Sequence, residues 1–128
     1  MNTIIELKHL TRTFQVKRDS IKAVDDLSIK FQEGEVVCLV GESGCGKTTT
    51  GKMIANLLEP TSGQILINGK DLTKLSKVEH RNYRMAVQMV HQDPYASLNP
   101  AHTVYDIISA PLRYHRLTKN ETETRNRV

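Results

Sequence analysis

Hydrophobic and polar positions near the N-terminus form patterns that predict β-strands. TIIELKHL (3–10) and LSIKF (27–31) are short apolar stretches, and the second alternates its apolar side chains with polar ones. The polar segment QVKRDSIK (15–22) between them is expected to be a hairpin-like connection. After a turn at EGE (33–35), the aliphatic run VVCLV (36–40) is typical of a strand buried on both faces of a parallel sheet, which would make Cys38 an inert core residue.

Helical periodicity first occurs after a glycine-rich segment. In KTTTGKMIANLL (47–58), Met53, Ile54, Leu57 and Leu58 share one face of a helix. The proline and glycine of EPTSG (59–63) are expected to end this helix. QILING then predicts a strand that is closed by an Asn-Gly turn.

The next segments combine a helix start signal with a second apolar run. Ser76 followed by Glu79 is a capping-box pattern, which predicts a short polar helix through about Arg84. MAVQMV (85–90) is interpreted as another buried strand. HQDPYASLNP (91–100) contains two prolines and is expected to be an irregular loop.

The C-terminal part of the sequence predicts two more helices. Thr103 is expected to cap a helix that Pro111 interrupts. TKNETETRNRV (118–128) has the composition of a further charged helix, too short to be stable without packing.

Composition places the chain among globular proteins. Of its 128 residues, 38% are hydrophobic and 25% are charged, and the longest strongly apolar run is far shorter than the roughly 20 residues of a membrane span. The N-terminus carries no secretory pattern, so we expect a cytosolic chain. The net charge of +4 could favour nucleic acid, anionic lipid or nucleotide, but the basic residues are scattered among acids, and a mildly basic solvated surface is the favoured explanation.

The cysteines and histidines do not form a metal-binding pattern. Cys38 and Cys45 have no second pair, and the five histidines are dispersed along the chain. We therefore expect no zinc or other histidine-based metal centre.

The segment GESGCGKT (41–48) has the spacing of a phosphate-binding loop, G-x-x-x-x-G-K-[ST]. Its glycines allow the backbone to turn N–H groups toward phosphate oxygens, and the helix that follows adds the positive end of its dipole. Lys47 would supply a cation for the β and γ phosphates, and the Thr48 hydroxyl could bind Mg²⁺. A chance match in a chain of this length has a probability on the order of a few per thousand from average residue frequencies.

The loop alone does not define the class of protein, because GTPases, kinases, helicases and transporters share it. A GTPase would carry N-K-x-D and a downstream D-x-x-G, and the sequence has neither. Two further stretches, LLEPTSGQILINGKDL (57–72) and VQMVHQDPYASLNP (87–100), resemble ATP-binding-cassette (ABC) transporter ATPase subunits. The second resembles the Q-loop region of dipeptide, oligopeptide and nickel importers, and the likeness extends from about Ile4 to Arg127.

The resemblance implies an α/β fold of the P-loop NTPase, ABC type. It would comprise an antiparallel β-subdomain, the start of a parallel core sheet and the start of a helical subdomain. Residues 1–128 would be the N-terminal portion of one ATPase domain, with the Walker A motif at 41–48 and the Q-loop around Gln92.

The resemblance also implies roles for individual residues. Gln92 would approach Mg²⁺ and the attacking water, so that Lys47 and Gln92 are the catalytic candidates; as an alternative, Gln92 is only a polar residue that ends a strand. Phe14 would stack on adenine, or else is simply buried in the β-subdomain. His91 stands where relatives often carry Phe. The expected ATP-binding residues are Phe14, Gly41, Glu42, Ser43, Gly44, Cys45, Gly46, Lys47, Thr48 and Thr49, with Thr48 and Gln92 on Mg²⁺.

ABC ATPases need further motifs that this sequence does not contain. We find no L-S-G-G-Q-like signature, no Walker B aspartate followed by a catalytic glutamate, and no switch histidine. We therefore expect a truncated chain that does not hydrolyse ATP at a useful rate by itself.

The resemblance implies the following function for the intact subunit. It would bind MgATP, dimerise head to tail with a second ATPase subunit, and drive import of peptides or a related solute through membrane permease subunits served by a solute-binding protein. It would lie on the inner face of the cell membrane, with no nucleic acid partner. Two alternatives are a non-catalytic nucleotide-binding or interaction module and, less favoured, a DNA-repair ABC ATPase.

Overall fold

A computed structural model of the chain describes residues 2–93, 95 and 97–128. These residues fall into two compact units, the first ending at Met89 and the second comprising Val90–Val128. Each unit is described by itself below.

A four-stranded antiparallel sheet forms the larger part of the first unit. Its strands lie in the order β2-β1-β3-β4. They comprise β1 (Thr3–Val16), β2 (Asp19–Gln32), β3 (Ser62–Ile67) and β4 (Lys70–Asp71). The antiparallel β-subdomain expected from the sequence is therefore present.

The polar segment 15–22 forms a hairpin between β1 and β2, as predicted, although the turn itself is shorter than the segment. β1 and β2 continue through it, with Val16 opposite Asp19. The turn consists only of Lys17 and Arg18, with Lys17 at a φ of 57°. Polar side chains do not end these strands, because each strand supplies the other's backbone hydrogen bonds.

The turn between β3 and β4 confirms the Asn-Gly prediction. Asn68 has a φ of 47° and Gly69 a φ of 79°. Positive φ at both central residues is the turn geometry that matches the twist of a two-residue hairpin.

The run 36–40 is not a buried strand, and this corrects the sequence-based prediction. Residues 35–42 have no regular secondary structure, Val36 is 98% exposed and Val40 is 90% exposed. Cys38 is exposed as well, so it is not an inert core residue. A strand needs a neighbour for its N–H and C=O groups, and among the described residues no strand lies beside this run.

Helix α1 (Lys47–Ile54) follows the glycine-rich loop and ends earlier than predicted. Asn56 adopts a left-handed φ of 55°, and the N–H groups of Asn56 and Leu57 donate to the carbonyls of Met53 and Lys52. This is a Schellman motif, so Asn56 ends the helix rather than the later proline and glycine. Leu57, predicted on the apolar face, is 59% exposed.

The core of the first unit lies between the sheet and α1. Its buried residues are Leu7, Leu10, Val24, Met53, Ile65, Leu72 and Tyr83. The alternating apolar side chains of β2, Leu27, Ile29 and Phe31, pack against this core as the pattern predicted. The Tyr83 hydroxyl donates to the carbonyl of Ile54, which satisfies its polar group, while burial raises the pKa of Tyr83 to about 12.

Helix α2 (Lys77–Ala86) follows one turn of 3₁₀ helix at Leu72–Lys74. The predicted capping box is present, because Ser76 accepts from the Glu79 N–H and Glu79 accepts from the Ser76 N–H. The predicted strand at 85–90 is wrong: α2 continues to Ala86, and residues 87–90 have no regular structure.

The second unit contains two helices, α3 (Val104–Tyr114) and α4 (Glu121–Arg127). Thr103 caps α3 as predicted, but Pro111 lies inside the helix and does not interrupt it. The His115 N–H still donates to the Pro111 carbonyl at 3.0 Å, so the helical bonds resume after the proline. α4 confirms the expected charged helix, and Arg113 of α3 pairs with its Glu121 at 2.9 Å.

Candidate phosphate-binding site

The loop Gly41–Thr48 joins the exposed run 36–40 to the N-terminus of α1, and backbone geometry fixes its glycine positions. Gly44 and Gly46 have φ values of 82° and 92°, in the left-handed region that disfavours other residues. Gly46 is also in close contact with β2. A Cβ on it would lie 2.2 Å from the Ala23 carbonyl oxygen and 3.1 Å from Cγ2 of Val24. Only glycine therefore fits where the loop turns into the helix.

Lys47 lies across the loop and holds its backbone together. Its Nζ donates to the carbonyls of Gly41 at 2.8 Å and Glu42 at 2.6 Å, and contacts Sγ of Cys45 at 3.3 Å. The ammonium group is thus held among loop atoms instead of extending into solvent. A polyphosphate oxygen that reached the loop would meet this cation directly.

The N-terminus of α1 presents backbone donors at the same place. Gly46 is the N-cap and supplies no side-chain cap, while the Thr50 hydroxyl bonds back to the Gly46 carbonyl at 3.0 Å. The N–H groups of a first helical turn lack helical acceptors, and with the helix dipole they favour an anion. Thr48 is exposed and Thr49 is half-buried, so the Thr48 hydroxyl is open to a ligand.

The structure brings all the predicted loop residues together. Glu42 and Ser43 are exposed, and Cys45 is exposed beside Lys47. Cys45 also folds over the start of the loop, because a Cβ on Gly41 would lie 2.6 Å from its Sγ.

Phe14 lies in β1, near the stretch of sheet that contacts the loop. The ladder places it opposite Ile21, two residues from the Ala23 that touches Gly46. Its ring is half-buried, and the guanidinium carbon of Arg12 is 4.7 Å from the ring centroid. Sequence reasoning missed Arg12, although its position two residues before Phe14 in a strand would have placed both side chains on one face.

Gln92 belongs to the second unit, where it is exposed in a bend. The loop that follows it is organised by Asp93, which accepts from the Tyr95 N–H at 2.9 Å. Pro94 and Ala96 of the predicted irregular loop are outside the described residues. In the described part of the chain, no group of three or more His, Cys, Asp or Glu residues could hold a metal ion.

A glycine-rich loop of this spacing beside an antiparallel β-subdomain is the arrangement of an ATP-binding cassette, and comparison with known proteins gives the same class. The family profile described as ABC transporter matches residues 24–127. The chain therefore belongs to the ABC transporter family of ATP-binding proteins.

The individual relatives indicate a narrower group within this family, the oligopeptide transport ATP-binding proteins. The chain is 47% identical over 126 residues to the oligopeptide transport ATP-binding protein OppF of Bacillus subtilis, covering 98% of this chain and 41% of that protein. It is 43% identical to the AppF oligopeptide transport ATP-binding protein of the same organism, covering 90% of this chain and 37% of AppF. The chain thus spans about two fifths of the length of these relatives.

A solved structure supports the fold. The ATP-binding cassette MJ0796, in a dimeric post-hydrolysis state bound to ADP and Pi, superposes with a TM-score of 0.79 at 27% identity, over 97% of this chain and 53% of that chain. No helix in the described part of this chain is long and apolar enough to cross a bilayer.

Proposed function

We propose that the loop Gly41–Thr48 binds MgATP and that the protein is an ATP-binding subunit of an oligopeptide importer. The observation that carries this proposal is the convergence of the Lys47 ammonium group and the uncapped N-terminus of α1 on one glycine-turned loop. OppF and AppF, which the chain resembles, are oligopeptide transport ATP-binding proteins, and this supports the choice of oligopeptides.

The residues of the loop fit a nucleotide polyphosphate. The ammonium of Lys47 already accommodates two oxygen acceptors, and Gly46 keeps the backbone free of a Cβ. ATP binding would exchange the carbonyl partners of Lys47 for phosphate oxygens, which are the stronger acceptors. The proposed binding residues are Phe14, Gly41, Glu42, Ser43, Gly44, Cys45, Gly46, Lys47, Thr48 and Thr49.

Mg²⁺ would neutralise phosphate charge during phosphoryl transfer. The exposed Thr48 hydroxyl is an oxygen ligand suited to this ion. Gln92 is proposed as a second ligand and as a catalytic residue together with Lys47, on the resemblance of its neighbourhood to the Q-loop.

At the level of the assembly, residues 1–128 are proposed to be the N-terminal portion of one ABC ATPase domain. That subunit would pair head to tail with a second ATPase subunit and dock on membrane permeases at the inner face of the cell membrane. A solute-binding protein would deliver the peptide. The dimeric state of MJ0796 supports the pairing.

Thermal unfolding with and without MgATP tests the binding proposal. A ligand at 100 times its dissociation constant adds about 2.7 kcal/mol to the free energy of unfolding. We expect a rise in Tm that Lys47→Ala abolishes. Lys52→Ala serves as the control, because it removes the same charge from an exposed site on α1. An equal rise in Tm for wild type and Lys47→Ala would contradict the proposal.

A further inference from the structure

We propose that Arg12 is a positioning residue for the nucleotide base. Its guanidinium covers one face of the Phe14 ring and holds the ring so that the opposite face receives adenine. The inference rests on the proposed function and assigns a role to a residue outside the phosphate-binding loop.

The contact follows from the strand geometry of β1. Residues two apart in a strand lie on the same face of the sheet, which places the Arg12 side chain beside Phe14. The Arg12 Cζ is 4.7 Å from the ring centroid, within the roughly 6 Å over which a cation is attracted to an aromatic face.

Arg12 is held at a defined place by the segment that leads into β3. Its Nη1 donates to the carbonyl of Glu59 at 2.8 Å. The same stretch of β1 is tied to this segment by the backbone, because the Thr61 N–H donates to the Thr11 carbonyl at 2.8 Å. The guanidinium therefore has a fixed position, and its contact with the Phe14 ring restricts the orientation of that ring.

Part of the guanidinium is removed from water. The Arg12 Nε is buried and has no hydrogen-bond partner among the described residues. A desolvated cation interacts more strongly with an aromatic face than a solvated one. Arg12 thus stacks on Phe14 and is anchored by the Glu59 carbonyl, while burial keeps water away from its Nε.

The Phe14 ring and the glycine-rich loop both lie beside the same stretch of the β1–β2 ladder. Arg12 lies opposite Val24, and Cγ2 of Val24 is 3.1 Å from where a Cβ on Gly46 would lie. A nucleotide whose phosphates occupy the loop would have its base near this stretch. Since Arg12 occupies one face of Phe14, the base has only the other face on which to stack.

This arrangement predicts that Arg12 affects the base and not the phosphates. Isothermal titration of MgATP and of magnesium tripolyphosphate, which has no base, separates the two contributions. We expect Arg12→Met to weaken ATP binding by roughly two- to fivefold, the range of a cation–aromatic contact, and to leave tripolyphosphate binding unchanged. Arg12→Lys should recover part of the loss, since it keeps the charge.

Two controls isolate the role of Arg12. Arg18→Met removes the same charge at the exposed β1–β2 turn and should change neither affinity. In a Phe14→Ala background, Arg12→Met should have no further effect on ATP binding, because the two residues act through one stack.

Several results would overturn the proposal. An equal loss of both ligands in Arg12→Met would assign Arg12 a purely structural role, and tighter ATP binding would mean that Arg12 competes with the base. Unchanged ATP affinity would also overturn it while leaving the proposed function intact. A wild-type chain that binds neither ligand would overturn the proposed function and this inference with it.

Discussion

At the scale of a single residue, Gly46 is where the glycine-rich loop packs closely against β2. Its φ of 92° and the 2.2 Å between a substituted Cβ and the Ala23 carbonyl oxygen are two independent obstacles to any side chain. We expect Gly46→Ala to lower the free energy of unfolding by about 1–3 kcal/mol and to abolish the MgATP-dependent rise in Tm.

Gly69→Ala is the matched control for Gly46→Ala. Gly69 also has a positive φ, of 79°, but nothing lies within 4 Å of its substituted Cβ. Gly69→Ala should lower the free energy of unfolding by only about 1–2 kcal/mol, the cost of a left-handed φ at alanine, and should keep the response to MgATP. Urea unfolding measures the change in stability, and thermal unfolding with and without MgATP measures the nucleotide response. A rise in Tm in Gly46→Ala equal to that of wild type would contradict the assigned role of the loop turn.

Cys45 reports on occupancy of the loop. It is exposed, and its Sγ lies 3.3 Å from the Lys47 Nζ, so a phosphate bound by Lys47 would shield it. We expect saturating MgATP to slow maleimide labelling of Cys45 roughly in proportion to the unoccupied fraction of sites.

Cys38 supplies the internal control for this labelling, because it is exposed outside the glycine-rich turn. Its rate, followed in a Cys45→Ser variant, should not respond to MgATP, and the rate of Cys45 is followed in a Cys38→Ser variant. Labelling of Cys45 at the same rate with and without nucleotide would show that the loop is unoccupied.

At the scale of an element, the start of α2 depends on the Ser76–Glu79 capping box. The Ser76 side chain satisfies an N–H of the first turn that has no helical acceptor. Ser76→Ala should therefore lower the free energy of unfolding by about 0.5–2 kcal/mol. Ser76→Thr should keep most of the stabilisation that the cap provides. Urea denaturation of the two variants checks this, and equal stability of Ser76→Ala and wild type would rule out a stabilising cap.

The same cap makes stability depend on pH. The hydrogen bond from Lys70, followed by those from Ser76, lowers the pKa of Glu79 to about 2 from its usual 4.5. Because the pKa is lower in the folded state, this contribution to stability is complete above about pH 4.5 and is lost as the pH falls toward 2.

Replacing Glu79 with Gln should make the fall in Tm between pH 5 and pH 2 shallower, since the ionisation that couples to folding is removed. Melting curves across this pH range give the measurement. Glu33→Gln, in the exposed turn after β2, controls for the loss of one carboxylate. The prediction fails if Glu79→Gln and wild type lose Tm in parallel.

At the scale of the whole molecule, we expect the exposed run 36–40 to promote association between copies of the chain. It is aliphatic, uncharged, free of proline and unpaired among the described residues, which are the features of an aggregation-prone segment. The double change Val36→Lys and Val40→Lys should raise the concentration at which light scattering begins. It should leave Tm nearly unchanged, because these side chains are 98% and 90% exposed.

The matched control adds the same two charges elsewhere. Val90 and Val104 are 96% and 72% exposed, and they lie outside the apolar run. Val90→Lys with Val104→Lys tests whether net charge alone improves solubility. Equal improvement by both pairs would mean that the run 36–40 is not the site of association.

The sequence by itself determined the features whose interactions are local. The Asn68-Gly69 turn, the cap at Ser76, the cap at Thr103 and the glycine-rich loop before α1 are all where the sequence places them. In each case the decisive hydrogen bond or dihedral angle lies within a few residues, so residue type and spacing are sufficient.

Only the tertiary structure decided the features that need a partner from elsewhere in the chain. The runs 36–40 and 85–90 have the composition of buried strands, yet a strand forms only where a neighbouring backbone accepts and donates its hydrogen bonds. The hydrogen bond from Arg12 to the Glu59 carbonyl and the contact of Gly46 with Ala23 likewise depend on which distant segments meet at β1 and β2. Sequence spacing shows which neighbouring residues can interact. Contacts between residues far apart in sequence form only when folding closes the loop between them, at a cost in chain entropy.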